Sequence, residues 1–172
     1  MTVKLAVSDL NALNTSDFAS AFGDIAEHSP WVAERAAERR PFASREETIA
    51  AFQSAVLSAG VPLQLDLLNA HPDLAGKAAI AGKIGATSQS EQAGAGLDTL
   101  TAQEFERFTA LNSTYRDTFG FPFILAVRGA TKHDILASFE TRIDNDRDTE
   151  FKTAVQQVCR IIRFRLEDRI AE

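Results

Sequence analysis

The sequence of 172 residues contains only one cysteine, Cys159, and no long apolar run. One cysteine cannot form an internal disulfide, which is typical of a reducing compartment. No segment approaches the roughly 20 apolar residues that a membrane-spanning helix needs. The N-terminus has too short an apolar run for a secretory signal, and the C-terminal Ile-Ala-Glu is not a peroxisomal address. We therefore expect a cytoplasmic protein that has no membrane partner.

Positive charge is also scarce, because 24 aspartate and glutamate residues outnumber 18 lysine and arginine residues, for a net charge of −6. Phosphate binding needs a clustered positive surface, so we do not expect nucleic acid as a partner. The arginines between positions 35 and 45 are interleaved with glutamates, as on a solvated helix face. With 45% hydrophobic residues, the chain is long enough for one domain, residues 1–172, with a buried core.

Sequence motifs for cofactors are missing. The three histidines, His28, His71 and His133, lack the spacing of a protein-built zinc site. The stretch GKAAIAGKI resembles a phosphate loop, but five residues rather than four separate Gly76 from Gly82. We therefore expect no metal and no cofactor, so that the protein performs either cofactor-free chemistry or none.

What the sequence does contain is helical periodicity. Apolar residues recur at helical spacing, as Phe18, Phe22 and Ile25 do, and most such segments begin at capping residues. Serine or threonine followed three residues later by glutamate, as in Ser44/Glu47 and Thr101/Glu104, indicates a capping box. These patterns predict an all-α fold, a single compact domain of roughly seven to nine helices.

One segment, FPFILAVRG, departs from this pattern. Pro122 disfavours helical geometry in Phe121, and a short apolar run without helix signals follows. We predict a buried extended segment around Phe121–Val127. Its backbone amide and carbonyl groups must find hydrogen-bonding partners.

The last helical segment carries an arginine where an apolar residue is expected. At about 100° per residue, Arg165 falls near the centre of an apolar stripe, whereas Arg163 falls on the opposite side. A guanidinium directed into a core is costly unless an anion meets it. Arg165 therefore either forms a structural ion pair, or reaches water near the helix end, or binds a carboxylate with two parallel hydrogen bonds.

Two further stretches carry polar side chains with two interpretations each. In NAHPDLAGKAA, His71 precedes Pro72 between two helical segments, where it either caps the next helix or acts as a general acid or base. In TSQSEQAGAG, Ser88 and Glu91 match a capping box, but together with Gln92 they could also hold a small polar ligand.

Five blocks of the sequence, taken in order, resemble the OHCU decarboxylase family. They are EHSPWVAERA, AHPDLAGKAA, SQSEQAGAGL, LNSTYRDTFGFPFILAVRG and RIIRFRLEDRI, and the resemblance extends from about Asp17 to Asp168. It implies a compact all-α domain that pairs as a homodimer and uses no metal or cofactor. It also implies the decarboxylation of 2-oxo-4-hydroxy-4-carboxy-5-ureidoimidazoline, an anionic ureide, to (S)-allantoin in urate catabolism.

The resemblance also implies which residues form the site. The expected catalytic residues are His71 as general acid/base, Glu91 as the group that orients it, and Arg165 as the anchor of the anionic substrate. The expected substrate-binding residues are Pro72, Ser88, Gln92, Phe123, Ile124 and Leu125, the last three through their backbone. Arg163 is the rival match for the arginine.

Two other functions are compatible with the residues taken alone. An acidic all-α domain could be a protein-interaction module in which His71 and Arg165 are structural. The chain could also be a lyase or hydrolase that acts on a related ureide.

Overall fold

The computed structural model describes residues 3–172, which form ten α-helices and no sheet. The helices are α1 (Val7–Ala12), α2 (Thr15–Phe22), α3 (Trp31–Ala37), α4 (Arg45–Leu57), α5 (Val61–Ala70), α6 (Lys77–Ile80), α7 (Ala86–Gly94), α8 (Ala102–Phe119), α9 (Lys132–Arg142) and α10 (Arg147–Arg169). The all-α prediction is confirmed. The helices α1 and α6, of six and four residues, are too short to produce a clear periodic pattern, and they bring the count to ten in this range.

The chain divides into two compact units. The first contains the residues up to Ala70 together with Val158–Glu172, and the second contains His71–Gln157. Within residues 3–172, no single helix is long and apolar enough to cross a membrane. Taken together, α4 and α5 would be long and apolar enough, but they are bent by 110° relative to each other.

Aromatic rings dominate the core of the first unit. The ring of Phe18 is fully buried, and its centroid lies 5.0 Å from that of Phe22, 6.3 Å from that of Phe42 and 6.1 Å from that of Phe52. These separations are in the range that aromatic pairs prefer. The helical spacing of Phe18 and Phe22 therefore corresponds to one buried face of α2, as the sequence pattern predicts.

The second unit has its own aromatic core around Tyr115 of α8. The tyrosine ring is fully buried and lies within 6.0 Å, between centroids, of the rings of Phe119, Phe121, Phe123 and Phe139. Phe123 also stacks on Phe139 of α9, with centroids 3.9 Å apart and planes 9° from parallel. The predicted extended segment thus supplies part of this core.

The segment Phe121–Val127 is buried except for the partly exposed Leu125, and it contains neither helix nor strand, so the predicted extended segment does lie buried outside the helices. Its backbone finds side-chain partners. The Ile124 carbonyl accepts a hydrogen bond from Arg142 Nη1 at 2.6 Å, and the Ala126 amide donates to Gln157 Oε1 at 3.0 Å. Side chains of α9 and α10 therefore replace the ladder that a neighbouring strand would provide.

The helix-start signals have mixed outcomes. Thr101 and Glu104 form the predicted capping box at α8. At α4 the Ser44 hydroxyl accepts from the Glu47 amide as predicted, but the Glu47 carboxylate accepts from the Ala43 amide instead of returning to Ser44. One of the two capping-box hydrogen bonds is therefore formed with the residue before the N-cap instead of with the N-cap itself.

Glu104 should contribute to stability in a pH-dependent way. The hydrogen bond from Lys132, assisted by the Thr101 amide, lowers the pKa of Glu104 from 4.5 to about 2. The folded state favours the carboxylate, so the contribution is present above pH 4.5 and is lost as the pH falls towards 2. We expect Glu104→Gln to flatten the fall in the free energy of unfolding across this window, measured by urea denaturation. Glu106→Gln, an exposed change on α8, serves as control; equal profiles for the two variants would contradict the expectation.

Candidate active site

His71 and Pro72 begin a loop between α5 and α6. Since α5 ends at Ala70 and α6 begins at Lys77, no helix starts at Pro72, and His71 does not act as a helix cap. The His71 side chain is buried, with 6% of the residue exposed. This leaves the functional interpretation of His71 as the one to test.

The loop backbone is held by amide side chains from two helices. Gln92 of α7 accepts from the Ala75 amide through Oε1 at 3.0 Å and donates from Nε2 to the Asp73 carbonyl at 3.2 Å. Asn112 of α8 donates to the Leu74 carbonyl at 2.9 Å. Ala75 has a φ of +53°, a conformation that L residues rarely adopt, and these bonds help to offset the backbone strain at this position.

The helix α7 begins three residues earlier than an N-cap at Ser88 would place it. Its N-cap is Gly85, so Ser88 is the third helical residue, and the capping-box interpretation of Ser88 and Glu91 does not hold. Gly85, with φ −56° and ψ 146°, directly precedes the first helical residue, so Ser88 lies in the first turn rather than at the cap.

The consequence is a polar face on α7. Ser88, Glu91 and Gln92 are spaced i, i+3 and i+4, which puts them on one side of the helix. Ser88 and Gln92 are 4% and 5% exposed, and Glu91 is half-buried. The helix thus brings together three of the residues that the sequence predicts for the site, in the same unit as His71.

A cleft of about 390 Å³ lies beside the His-Pro loop and includes the predicted binding residue Pro72 in its wall. Arg116 Nε, also in the wall, donates to Asp73 Oδ1 at 2.8 Å. Asp73 therefore pairs with α8 instead of stabilising a helix N-terminus. Sequence reasoning did not single out Arg116 or Asn112, because nothing in the α8 pattern marks them as loop partners.

The predicted substrate-binding backbone, Phe123 to Leu125, is also in the second unit. Among residues 3–172, the amides of Phe123, Ile124 and Leu125 donate no hydrogen bond within the protein. Phe123 and Ile124 are buried, whereas Leu125 is partly exposed. Buried amide donors are almost always paired, so donors of this kind suit a ligand that supplies acceptors.

Arg165 belongs to the first unit, where it is 3% exposed. Its Nη2 donates to Glu27 Oε1 at 2.9 Å and its Nη1 to the Ile25 carbonyl at 3.1 Å. The burial on α10 agrees with the helical pattern, and Arg163 lies on the more exposed side, paired with Glu46. A buried ion pair, one of the alternatives from sequence, is therefore present.

Glu27 is a buried charged residue that sequence reasoning missed, with 7% of the residue exposed. It lies between helices α2 and α3, where no periodic pattern applies, so the only signal is its place in the block EHSPWVAERA.

Cys159 is the only cysteine of the sequence, and it is buried. Burial raises the pKa of the Cys159 thiol to about 11, which fits a structural residue rather than a nucleophile. Within residues 3–172, no group of three or more histidine, cysteine, aspartate or glutamate side chains could hold a metal ion.

The fold and these residues define a small all-α protein with a buried histidine on a pinned loop and a polar face on a neighbouring helix. The family model described as OHCU decarboxylase matches residues 11–167. The chain belongs to the OHCU decarboxylase family.

Curated relatives match nearly the whole of this chain. A 2-oxo-4-hydroxy-4-carboxy-5-ureidoimidazoline decarboxylase from Haloferax volcanii is 44% identical, covering 98% of each chain. The uric acid degradation bifunctional protein PucL of Bacillus subtilis is 43% identical over 96% of this chain but only 33% of its own length.

Two solved structures have a similar fold. A crystal structure of (S)-allantoin synthase has a TM-score of 0.79 and 36% identity, and it covers 97% of this chain, which spans 54% of that one. A crystal structure of OHCU decarboxylase in the presence of (S)-allantoin has a TM-score of 0.71 at 21% identity, over 86% of this chain and 95% of that one. At that lower identity the second likeness supports the fold.

The buried pair of Arg165 and Glu27 predicts a stability effect. Arg165→Met should lower the free energy of unfolding by about 3–5 kcal/mol, because it leaves the Glu27 carboxylate buried without this cation. Adding Glu27→Gln should recover much of that loss in urea denaturation. Arg163→Met, which breaks the more exposed pair with Glu46, should cost at most about 1 kcal/mol. Similar losses for Arg165→Met and Arg163→Met would contradict this assignment.

Proposed function

We propose that the protein decarboxylates 2-oxo-4-hydroxy-4-carboxy-5-ureidoimidazoline to (S)-allantoin in urate degradation. Membership in a decarboxylase family makes it an enzyme, a carboxy-lyase, rather than an interaction module. The observation that carries the proposal is the full-length match to a relative that bears this name, at 44% identity. Names that refer to uric acid degradation and to (S)-allantoin synthase support the same route.

The substrate's own structure indicates how the reaction proceeds. As the name states, one ring carbon carries both the carboxylate and a hydroxyl, and its neighbour carries the ureido group. When the bond to CO₂ breaks, its electron pair forms a double bond to the neighbouring carbon, the electrons of the carbon–nitrogen double bond move onto the ring nitrogen, and that nitrogen takes up a proton, which leaves an enol. The enol becomes the carbonyl of allantoin when a proton is added to the carbon that bears the ureido group and the proton of the enol hydroxyl is released. Because the ring accepts the electrons, no cofactor is required as an electron sink.

The protein then has to hold the substrate and deliver the proton that is added to the carbon bearing the ureido group. His71 is the general acid/base in this proposal, since histidine is a common proton-transfer group and the loop, held by Gln92 and Asn112, fixes its position. Glu91, in the same unit, orients the imidazole and stabilises its charged form. Delivery of the proton to one face of the enol accounts for the (S) configuration.

The remaining predicted residues bind the ureide. Ser88 and the backbone of Phe123–Leu125 supply hydrogen-bonding groups for the ring and the ureido group. Gln92 supports substrate binding mainly by holding the loop that starts at His71, because its side-chain amide is already hydrogen-bonded to the backbone of Asp73 and Ala75. Pro72 lines the neighbouring cleft and restricts the backbone next to His71.

Arg165 keeps the role of anchor for the anionic substrate. The reason is electrostatic, since a buried guanidinium has a strong preference for a carboxylate and can bind it through two hydrogen bonds. The proposal also includes a homodimer, a cytoplasmic location and independence from metals and organic cofactors. The family resemblance supports the homodimer and the independence from metals and organic cofactors.

His71→Ala tests the acid/base assignment. Freshly generated substrate is added to the wild type and to the variant, and the appearance of optically active allantoin is followed by circular dichroism. Loss of a general acid/base should slow the enzymatic rate by about 100-fold or more. His133→Ala, an exposed histidine on α9, should retain the wild-type rate. Formation of (S)-allantoin by His71→Ala at the wild-type rate would exclude the assignment.

The kinetic role of Arg165 is tested in the variant that carries both Glu27→Gln and Arg165→Met, which avoids a buried unpaired carboxylate. Loss of the anchoring cation should raise the KM by about 10-fold or more, because a charge-assisted pair with the substrate is removed. Glu27→Gln alone shows how much of the change comes from the glutamate. A double variant with the KM and kcat of Glu27→Gln alone would mean that Arg165 has a structural role only.

A further inference from the structure

We propose that Arg142 and Gln157 are positioning residues for the decarboxylation, because they fix the backbone on both sides of Leu125. With the carbonyl of Ile124 and the amide of Ala126 held by these side chains, the amide and carbonyl of Leu125 form a donor–acceptor pair for the ureide. This inference rests on the proposed function, since it requires that the Phe123–Leu125 backbone binds the substrate.

Arg142, at the end of α9, holds the first side of the segment. It is 8% exposed, and its Nη1 donates to the Ile124 carbonyl at 2.6 Å. Its guanidinium carbon also lies 4.4 Å from the centroid of the Phe123 ring, which stacks on Phe139. Arg142 therefore restrains both the backbone of Ile124 and the side chain of Phe123.

Arg142 is itself held by a buried carboxylate. Glu150 of α10 is fully buried and accepts from Arg142 Nε at 3.0 Å and from Nη2 at 2.9 Å. The hydroxyl of Tyr115 and the side-chain amide of Asn145 donate to the same carboxylate. The pKa of Tyr115 is raised, first by burial and then by its hydrogen bond to Glu150, so Tyr115 remains a donor. The guanidinium that meets Ile124 consequently has one orientation.

Burying a complete ion pair is costly, and apolar side chains of similar volume often serve stability as well. An apolar side chain could not, however, donate to the Ile124 carbonyl. A lysine could reach a carbonyl, but it lacks the planar fork that binds Glu150 and Ile124 at the same time. An arginine at position 142 is therefore suited to hold the Ile124 carbonyl while it is paired with Glu150.

Gln157, on α10, holds the other side. Its Oε1 accepts from the Ala126 amide at 3.0 Å. Gln157 is half-buried, so a change at this position disturbs the core less than a change at Arg142. The two side chains bracket one residue, Leu125.

The geometry of the peptide bond determines what Leu125 presents. The only cis peptide in the described chain joins Arg40 to Pro41, so the peptides on both sides of Leu125 are trans. In a trans peptide the carbonyl and the amide N–H point in opposite directions. The Leu125 N–H therefore points away from the group that holds the Ile124 carbonyl, and the Leu125 carbonyl points away from Gln157.

Among residues 3–172, the Leu125 N–H donates to no protein group and the Leu125 carbonyl accepts from none, so the two match a ligand group that offers the complementary pair. Both the cyclic urea part of the substrate ring and its ureido substituent carry an N–H beside a C=O. A backbone fixed before binding loses little entropy when the substrate binds and keeps its donor in place while charge develops on the ring. Leu125 would thus recognise the ureide through its backbone, which any side chain at this position would allow.

The test compares neighbouring glutamines on α10. Gln157→Leu removes the acceptor for the Ala126 amide, Gln157→Glu keeps an acceptor oxygen, and Gln156→Leu makes the same apolar change at an exposed position. For each variant, kcat and KM are measured by circular dichroism, with thermal unfolding as the measure of stability. We expect Gln157→Leu to lose about 10-fold in kcat/KM, Gln157→Glu to recover to within about 3-fold, and Gln156→Leu to match the wild type.

Arg142→Lys supplies a second measurement, with Arg107→Lys as its control because Arg107 forms an exposed ion pair with Glu140 of α9. The Leu125 amide resonance in ¹⁵N–¹H spectra is followed during titration with (S)-allantoin. It should shift in the wild type and in Arg107→Lys, and shift less in folded Arg142→Lys. If Arg142→Lys does not fold, the same titration is made with Gln157→Leu.

The outcomes separate this inference from the proposed function. Wild-type protein that does not convert the substrate would refute the function. An active wild type, with Gln157→Leu folded and kinetically unchanged, would overturn the positioning role and leave the function intact. The role would also be overturned if Gln157→Glu were as slow as Gln157→Leu, because the acceptor oxygen would then not be the cause.

Discussion

The candidate site depends on the hydrogen bonds between the side-chain amide of Gln92 and the backbone of the loop that starts at His71. That loop has no regular secondary structure, and Ala75 adopts a left-handed conformation within it. The Gln92 amide supplies one acceptor and one donor, to the backbone of Ala75 and Asp73. The polar face of α7 and the loop that carries the histidine are consequently parts of one hydrogen-bonded structure.

Each compact unit also buries an arginine–glutamate pair. In the first unit Arg165 pairs with Glu27, and in the second Arg142 pairs with Glu150. Each arginine also donates to a backbone carbonyl outside the helices, that of Ile25 or Ile124, so each ion pair helps to hold a segment without regular secondary structure. Buried charges of this kind are costly for stability, and they are retained where a backbone or a ligand requires a charged donor in a fixed place.

Helical periodicity and the Phe-Pro-Phe segment were sufficient to predict the fold class and its one buried exception. The start of α7 was missed, because Ser88 and Glu91 satisfy the same local rule as Thr101 and Glu104. The rule describes which residues can cap a helix. It does not decide whether a helix has already begun, and here the helix begins after Gly85, which puts Ser88 in its first turn.

The sequence by itself determined the all-α class, the anomalous arginine at position 165 and the family blocks, because these depend on spacing along the chain. Only the tertiary structure decided the partners. Glu27 lies 138 residues from Arg165, and Gln157 lies 31 residues from the Ala126 amide that it binds. Periodic patterns report which face of a helix is buried, but hydrogen bonds depend on distance in space. The residues that hold the site in place are therefore visible only once the chain is folded.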